Sequence, residues 1–235
     1  MPRVTRQDFV GKLFPLLFLL VLPALPATDA RLDPLLHQVE SHYNHAQSLK
    51  LDFSETYTVP RRPTQVERGT LFLRKPGKMR WDYAAPAGKV FLSDGKNVLL
   101  YTPGNNRLEK SRLKESEDMR APLAFLLGKL NFFKEFRSFT SRPEGASTWI
   151  SAAPNSDQLA YTQVDFLVAP DAHIERVRVT GQDHSVLEFA FTNEQVNAPV
   201  TASMVAFQPP PGTEIVEDTE RGDLKLEAPK REAQQ

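Results

Sequence analysis

In residues 48–59 (SLKLDFSETYTV) apolar side chains fall at Leu49, Leu51, Phe53, Tyr57 and Val59, with Lys50, Asp52, Ser54, Thr56 and Thr58 between them. Successive side chains of an extended strand point to opposite faces, so this period of two predicts a strand with one greasy face and one wet face. The pattern constrains the fold strongly. A greasy face must be covered by another layer, and the strand's backbone groups must find partners along its edges. Related patterns recur down the chain. Residues 66–75 hold Leu71, Phe72 and Leu73, and residues 79–83 alternate Met79, Trp81 and Tyr83 against Arg80 and Asp82. Residues 90–92 and 98–101 flank Ser93-Asp94-Gly95-Lys96-Asn97, whose Asp-Gly pair signals a hairpin. Further short strands are predicted over residues 136–140, 148–152, 162–168, 174–179 and 187–191. Many short antiparallel strands at such spacing predict a sandwich or a barrel.

Two segments have a helical period instead. Residues 32–46 open on Asp33-Pro34, where Asp accepts free N–H groups and Pro suits the first helical position. Leu32, Leu35, Leu36, Val39 and Tyr43 then form one stripe. Residues 115–133 contain Ala-Pro-Leu-Ala-Phe-Leu-Leu-Gly, with Leu123, Leu126, Leu127 and Leu130 at helical spacing, Pro122 near the start and Gly128 as a break. Both stripes are expected to lie on the greasy face of the sheet and together close one side of it. Proline, at 19 of 235 residues, argues against a bundle of long helices.

The first thirty residues read as an export signal. Arg3, Arg6 and Lys12 give a basic start, residues 13–25 are mostly apolar, and small residues follow in PATDA. A spanning helix needs roughly 17–25 apolar residues, and Pro15 and Pro23 interrupt this run. Its length suits a signal core of about 7–15 residues, with cleavage expected after Ala27 or Ala30. The expected organisation is a signal peptide over residues 1–30, one domain over 31–218 and a mobile charged tail over 219–235. The chain is expected to be exported, without an attached lipid anchor because it has no cysteine.

Chemistry is sparse. Lys+Arg and Asp+Glu number 29 each, a balance that argues against a nucleic-acid binder. The absence of cysteine removes disulfides, thiolate metal sites and a Cys nucleophile. His42 and His45 sit three apart on the first helix, but no third ligand stands at useful spacing, so no metal or other cofactor is expected. No nucleophile elbow, phosphate loop or dinucleotide fingerprint occurs, and carboxylates lie singly on polar strand faces. The chain is read as a non-enzyme. Aromatic residues are more informative: Phe53, Phe72, Trp81, Tyr83, Tyr101, Phe125, Phe132, Phe133, Phe189 and Phe191 are expected to converge inside the sheet and its helical cover. They make either an ordinary packed core or a greasy cavity for an apolar ligand.

LFLRKPGKMRWDYAAP, LSDGKNVLLYTP, APLAFLLG and FQPPPGTEIVED, in that order, resemble the periplasmic outer-membrane lipoprotein carrier (LolA-type) family. The resemblance covers about residues 32–218. It implies a mainly β fold with some α, an incomplete, strongly curved antiparallel barrel closed by short lid helices. It also implies a soluble monomer that takes acylated lipoproteins from an inner-membrane ABC exporter. Such a carrier shields their acyl chains and delivers them to an outer-membrane receptor. On this reading the acyl chains would lie against Leu49, Leu51, Phe53, Phe72, Met79, Trp81 and Phe189, under Leu123, Leu126 and Leu127. The family commonly has arginine where this chain has Lys75, a latch onto lid carbonyls. Lysine offers a point charge without a planar fork, so the latch here is expected to be weaker or moved. Met79 stands where phenylalanine is frequent and is a softer filler. A carrier or sensor of another lipid on the same fold stays open as an alternative, as does a periplasmic hydrolase with a carboxylate pair formed only in three dimensions.

Overall fold

The computed structural model describes residues 32–113 and 130–217. The expected signal peptide, the stripe of Leu123, Leu126 and Leu127, Phe125 and the charged tail lie outside the described residues. Helix α1 (Leu32–His45) comes first and buries Leu32, Leu36, Val39 and Tyr43. Six strands follow: β1 (Ser48–Thr58), β2 (Gln65–Arg74), β3 (Lys78–Ala85), β4 (Val90–Ser93), β5 (Asn97–Thr102) and β6 (Arg107–Arg112). A single-turn helix, α2 (Phe132–Glu135), leads into β7 (Phe136–Glu144), β8 (Ser147–Pro154), β9 (Tyr161–Val168), β10 (Ile174–Gly181) and β11 (Val186–Val196). The last strand is β12 (Glu214–Glu217).

All the strands belong to one 12-stranded sheet in the order β12-β6-β5-β4-β3-β2-β1-β11-β10-β9-β8-β7. Two antiparallel meanders, β1–β6 and β7–β11, are joined because β11 returns to lie beside β1. β12 runs parallel to β6, and the row ends there and at β7 without closing. An incomplete barrel is thus formed from a single sheet, and the sandwich alternative is not.

Tight curvature needs a site where backbone crowds backbone. At Gly69, on β2, a Cβ atom would stand 2.0 Å from the carbonyl oxygen of Asp82 on β3. The β2–β3 register shifts between Arg68 and Gly69, so only glycine accepts this approach. The expected hairpin at Asp94-Gly95 also forms. The Asp94 carboxylate accepts from the N–H groups of Lys96 and Asn97, each at 2.7 Å.

The inner face carries the principal core, shared by α1 and both meanders. Apolar side chains on the outer face gather in two smaller clusters. The chain between β11 and β12 crosses this outer face: Val205 and Met204 pack with Phe72, and Phe207 lies 5.1 Å from the Tyr101 ring. Phe72 and Tyr101 therefore do not converge on the interior. In the run Leu71-Phe72-Leu73 the two leucines are fully buried in the inner core, and strand alternation sends the phenylalanine between them outward. Phe133 is another correction. It is 42% exposed and packs beside His37 and Phe139. β6 and β12 went unpredicted because their charged sequences show no clean alternation of apolar residues, and pairing with neighbouring strands decides them.

Candidate functional site

The inner face of β1 presents Leu49, Leu51 and Phe53, and β3 adds Met79 and Trp81; all are at most 4% exposed. Phe189 of β11 is fully buried. Trp81 is the centre of an aromatic nest, with Phe53 edge-on at 4.6 Å, Phe189 at 5.1 Å and Phe191 at 6.4 Å between ring centroids. Such ring pairs add roughly 0.5–1.5 kcal/mol each beyond their area. Thus six of the residues singled out from sequence meet on one wall. Phe72 lies on the other face, and Leu123, Leu126 and Leu127 fall outside the described residues.

Beyond Phe53 the same wall turns polar, at a position where simple alternation would place an apolar residue. Glu55 sits on the greasy side of β1, is 3% exposed and accepts a 2.6 Å hydrogen bond from the Tyr83 hydroxyl. Lys89 lies 4.4 Å above the Tyr83 ring and pairs with Glu67, the partner of Glu55 across β1 and β2. A buried carboxylate needs such partners to offset the loss of water. The interior is therefore apolar over most of its depth and charged at one end.

Helix α1 covers the apolar part, and polar bonds around its last turn fix it there. The Tyr43 hydroxyl donates to Glu194 Oε2 at 2.9 Å and accepts from the Ile174 N–H at 2.8 Å. Burial, and then the Glu194 carboxylate, push the Tyr43 pKa well above its ordinary 10.0. His42 Nε2 lies 2.7 Å from the other Glu194 oxygen. Asn44 exchanges two bonds with the backbone of Leu130, and Glu40 accepts from the Phe132 N–H. Lys75, at the end of β2, donates from Nζ to the carbonyls of Tyr43 at 2.7 Å and Asn44 at 3.4 Å. A cation there meets the negative end of the helix dipole and carbonyls that lack helical partners. Burial lowers the pKa of the Lys75 ammonium.

A different hollow of about 390 Å³ opens at the β1–β11 irregularity, lined by Lys50, Leu51, Asp52, Asn193, Glu194 and Gln195. Its side chains are mostly charged or amide, so it does not suit a hydrocarbon chain. Among the described residues no group of three or more His, Cys, Asp or Glu is placed to hold a metal. His42 is engaged with Glu194, and His45 Nδ1 lies 2.7 Å from the Ser41 carbonyl. No described helix is long and apolar enough to cross a membrane.

An open half-barrel with an apolar inner wall, under a helix held by side-chain bonds, has the layout of a carrier for an apolar ligand. The family profile described as outer membrane lipoprotein carrier protein LolA matches residues 44–208. Outer-membrane lipoprotein carrier proteins are similar to this chain over nearly their whole length. That of Bordetella avium is 26% identical over 210 residues, covering 88% of this chain and 97% of the relative. That of Proteus mirabilis is 27% identical over 188 residues, covering 80% and 88% respectively. Among solved structures, a LolA superfamily protein from Nitrosomonas europaea is similar at a TM-score of 0.44 and 8% identity, covering 74% of this chain and 97% of the other. The chain belongs to the outer membrane lipoprotein carrier family.

Proposed function

We propose that this protein is a periplasmic carrier of acylated lipoproteins. It takes them from an inner-membrane ABC exporter, shelters their acyl chains between the inner wall and α1, and hands them to an outer-membrane receptor. Residues 1–30 are its export signal, removed after about residue 27–30. The observation that carries this reading is the attachment of α1. The helix buries its apolar stripe on the wall, and polar bonds through Lys75, Glu194, Asn44 and Glu40 tether it at the edges. Such bonds contribute about 0.5–1.5 kcal/mol each, or about 1.5–3 where one partner is charged.

The magnitudes favour exchange of the helix for cargo. Burying a methylene stabilises by about 0.8 kcal/mol, so one 16-carbon chain supplies roughly 12 kcal/mol. That is of the same order as the burial of the four apolar side chains of α1, at about 1.5–3 kcal/mol each, so cargo and helix can compete for the wall. Two or three perfectly buried chains would pass the practical ceiling of about 18–21 kcal/mol for noncovalent affinity, and the cargo would never leave. Return of α1 to Lys75 and Glu194 opposes retention and assists release. An empty wall left bare would be an adhesive apolar patch, so the closed arrangement also protects the unloaded protein.

The test is to isolate the protein under mild conditions and identify copurified material by mass spectrometry. The loaded protein is then mixed with receptor, and the fraction of lipoprotein handed over is measured. Copurified acylated peptide and its transfer are expected. Copurification of a different lipid with no transfer would sink the lipoprotein reading, and the same protein without any lipid would sink the carrier reading.

A further inference from the structure

Trp81 is fully buried, and its indole N–H has no hydrogen-bond partner among the described residues. Buried donors are nearly always satisfied, because each one deprived of water carries a desolvation penalty. The indole ring that carries it packs against the rings of Phe53, Phe189 and Phe191. A water molecule there would lack the two to four polar neighbours it needs. An anionic acceptor would be desolvated against those rings at a cost of several kcal/mol. What fits is a neutral oxygen that arrives attached to hydrocarbon.

A second observation places this donor in a pattern. The buried side-chain polar atoms without a hydrogen bond among the described residues are Trp81 Nε1, Ser111 Oγ and Arg107 Nε, all on β3 or β6. Arg107 Nε lies 3.0 Å from Glu109 Oε1 but without hydrogen-bond alignment. Ser111 is on the inner face, in a row that runs Met79–Ser93–Val98–Ser111 across four strands. The opposite meander lines the interior with Ile150, Val164, Phe166, Val177 and Val179, all fully buried. These five are hydrocarbon, whereas β3 and β6 hold the unmet polar groups.

We infer that Trp81 Nε1 binds an acyl carbonyl oxygen of the cargo, so that the β3–β6 wall takes the linkage between acyl chain and lipoprotein while the β8–β11 wall takes the tail. The inference rests on the carrier reading above and gives it a direction: cargo enters with one orientation. Acyl linkages come as glycerol esters or as an N-terminal amide, and the carbonyl is common to both.

The experiment uses the purified protein and four synthetic cysteinyl lipopeptides: a dihexadecanoyl diester, its dihexadecyl diether, and each of these with an added N-acetyl amide, which supplies the amide carbonyl without a third long chain. Affinities are measured for the wild type and for Trp81→Phe, which removes the N–H and keeps a ring. Any void left by the smaller ring affects all four ligands, so only the difference between lipopeptides with and without an acyl carbonyl reports the bond. The wild type is expected to hold the diester about five- to tenfold more tightly than the diether. Trp81→Phe should bring the two within about twofold. If the amide, added to the diether, restores the affinity in wild type alone, the amide carbonyl is the acceptor; otherwise it is the ester. Equal wild-type affinity for diester, diether and N-acylated diether overturns the assignment and leaves the carrier reading standing. A preference that persists in Trp81→Phe also overturns it. Failure to bind any of the four overturns both.

Discussion

Single residues carry much of the logic, and Lys75 is the clearest. Its ammonium holds the carbonyls of Tyr43 and Asn44 at the end of α1. Lys75→Leu removes both bonds and leaves those oxygens short of a partner, so amide exchange in α1 should quicken about tenfold or more. Lys75→Arg brings a planar fork with more directed donors and should slow exchange and raise the lipid concentration needed to open the helix. Hydrogen exchange by mass spectrometry measures both. No change in either variant would remove Lys75 from the gating proposal. Gly69→Ala puts a Cβ against the Asp82 carbonyl and should lower the unfolding free energy by about 1–3 kcal/mol, read by urea denaturation. Phe53 and Phe72 separate the two faces. Phe53→Ala should weaken lipid binding, whereas Phe72→Ala should lower stability and leave binding unchanged, because Phe72 packs under the outer crossing segment. A binding loss with Phe72→Ala would contradict that division.

At the scale of elements, α1 is both a piece of core and a removable cover. Its apolar stripe makes it a helix and places it on the sheet, while Tyr43, His42 and Asn44 fix its last turn. The Tyr43 pKa is raised in the folded protein, so the neutral phenol contributes stability that is fully present below the unfolded value of 10.0. Above that pH the unfolded chain loses its proton first, and stability falls until the folded pKa is passed. Tyr161 acts in the same direction, with burial as the main cause and its pKa pushed up to about 12. The wild type should lose stability steeply above pH 10. Tyr43→Phe should be less stable at pH 8 and show a flatter alkaline decline, followed by denaturation at a series of pH values. An identical slope in both would mean that Tyr43 is not the group being titrated.

The molecule as a whole is one sheet with two differently used faces. Its inner wall is apolar under α1 and charged toward Glu55, Tyr83 and Lys89. The chain between β11 and β12 covers part of the outer face and ends by adding a parallel strand to β6. Closure of the interior and cover of the exterior are thus handled by separate segments. Phe207→Ser should therefore lower thermal stability by loosening its contact with Tyr101 without changing how much acylated peptide the protein retains. A proportional loss of retention would show that the two faces are coupled.

The alternation of β1, the stripe of α1 and the Asp-Gly hairpin were legible in the sequence because each is a local periodicity or a local turn. They determined a mainly β fold with a helical cover, and the ordered motifs determined the family. They also placed Phe53, Met79, Trp81 and Phe189 on apolar strand faces. Tertiary structure decided the rest. Whether Phe72 or its leucine neighbours face inward depends on register, since a shift of one residue reverses every side chain. Strands β6 and β12 exist because partners satisfy their backbones, not because their own residues ask for it. The burial of Glu55 and the unmet Trp81 N–H are relations between atoms far apart in the chain, and so is the identity of the carbonyls held by Lys75, which the family resemblance named only as a latch. Period and propensity describe neighbours along the backbone and hold no information about such meetings.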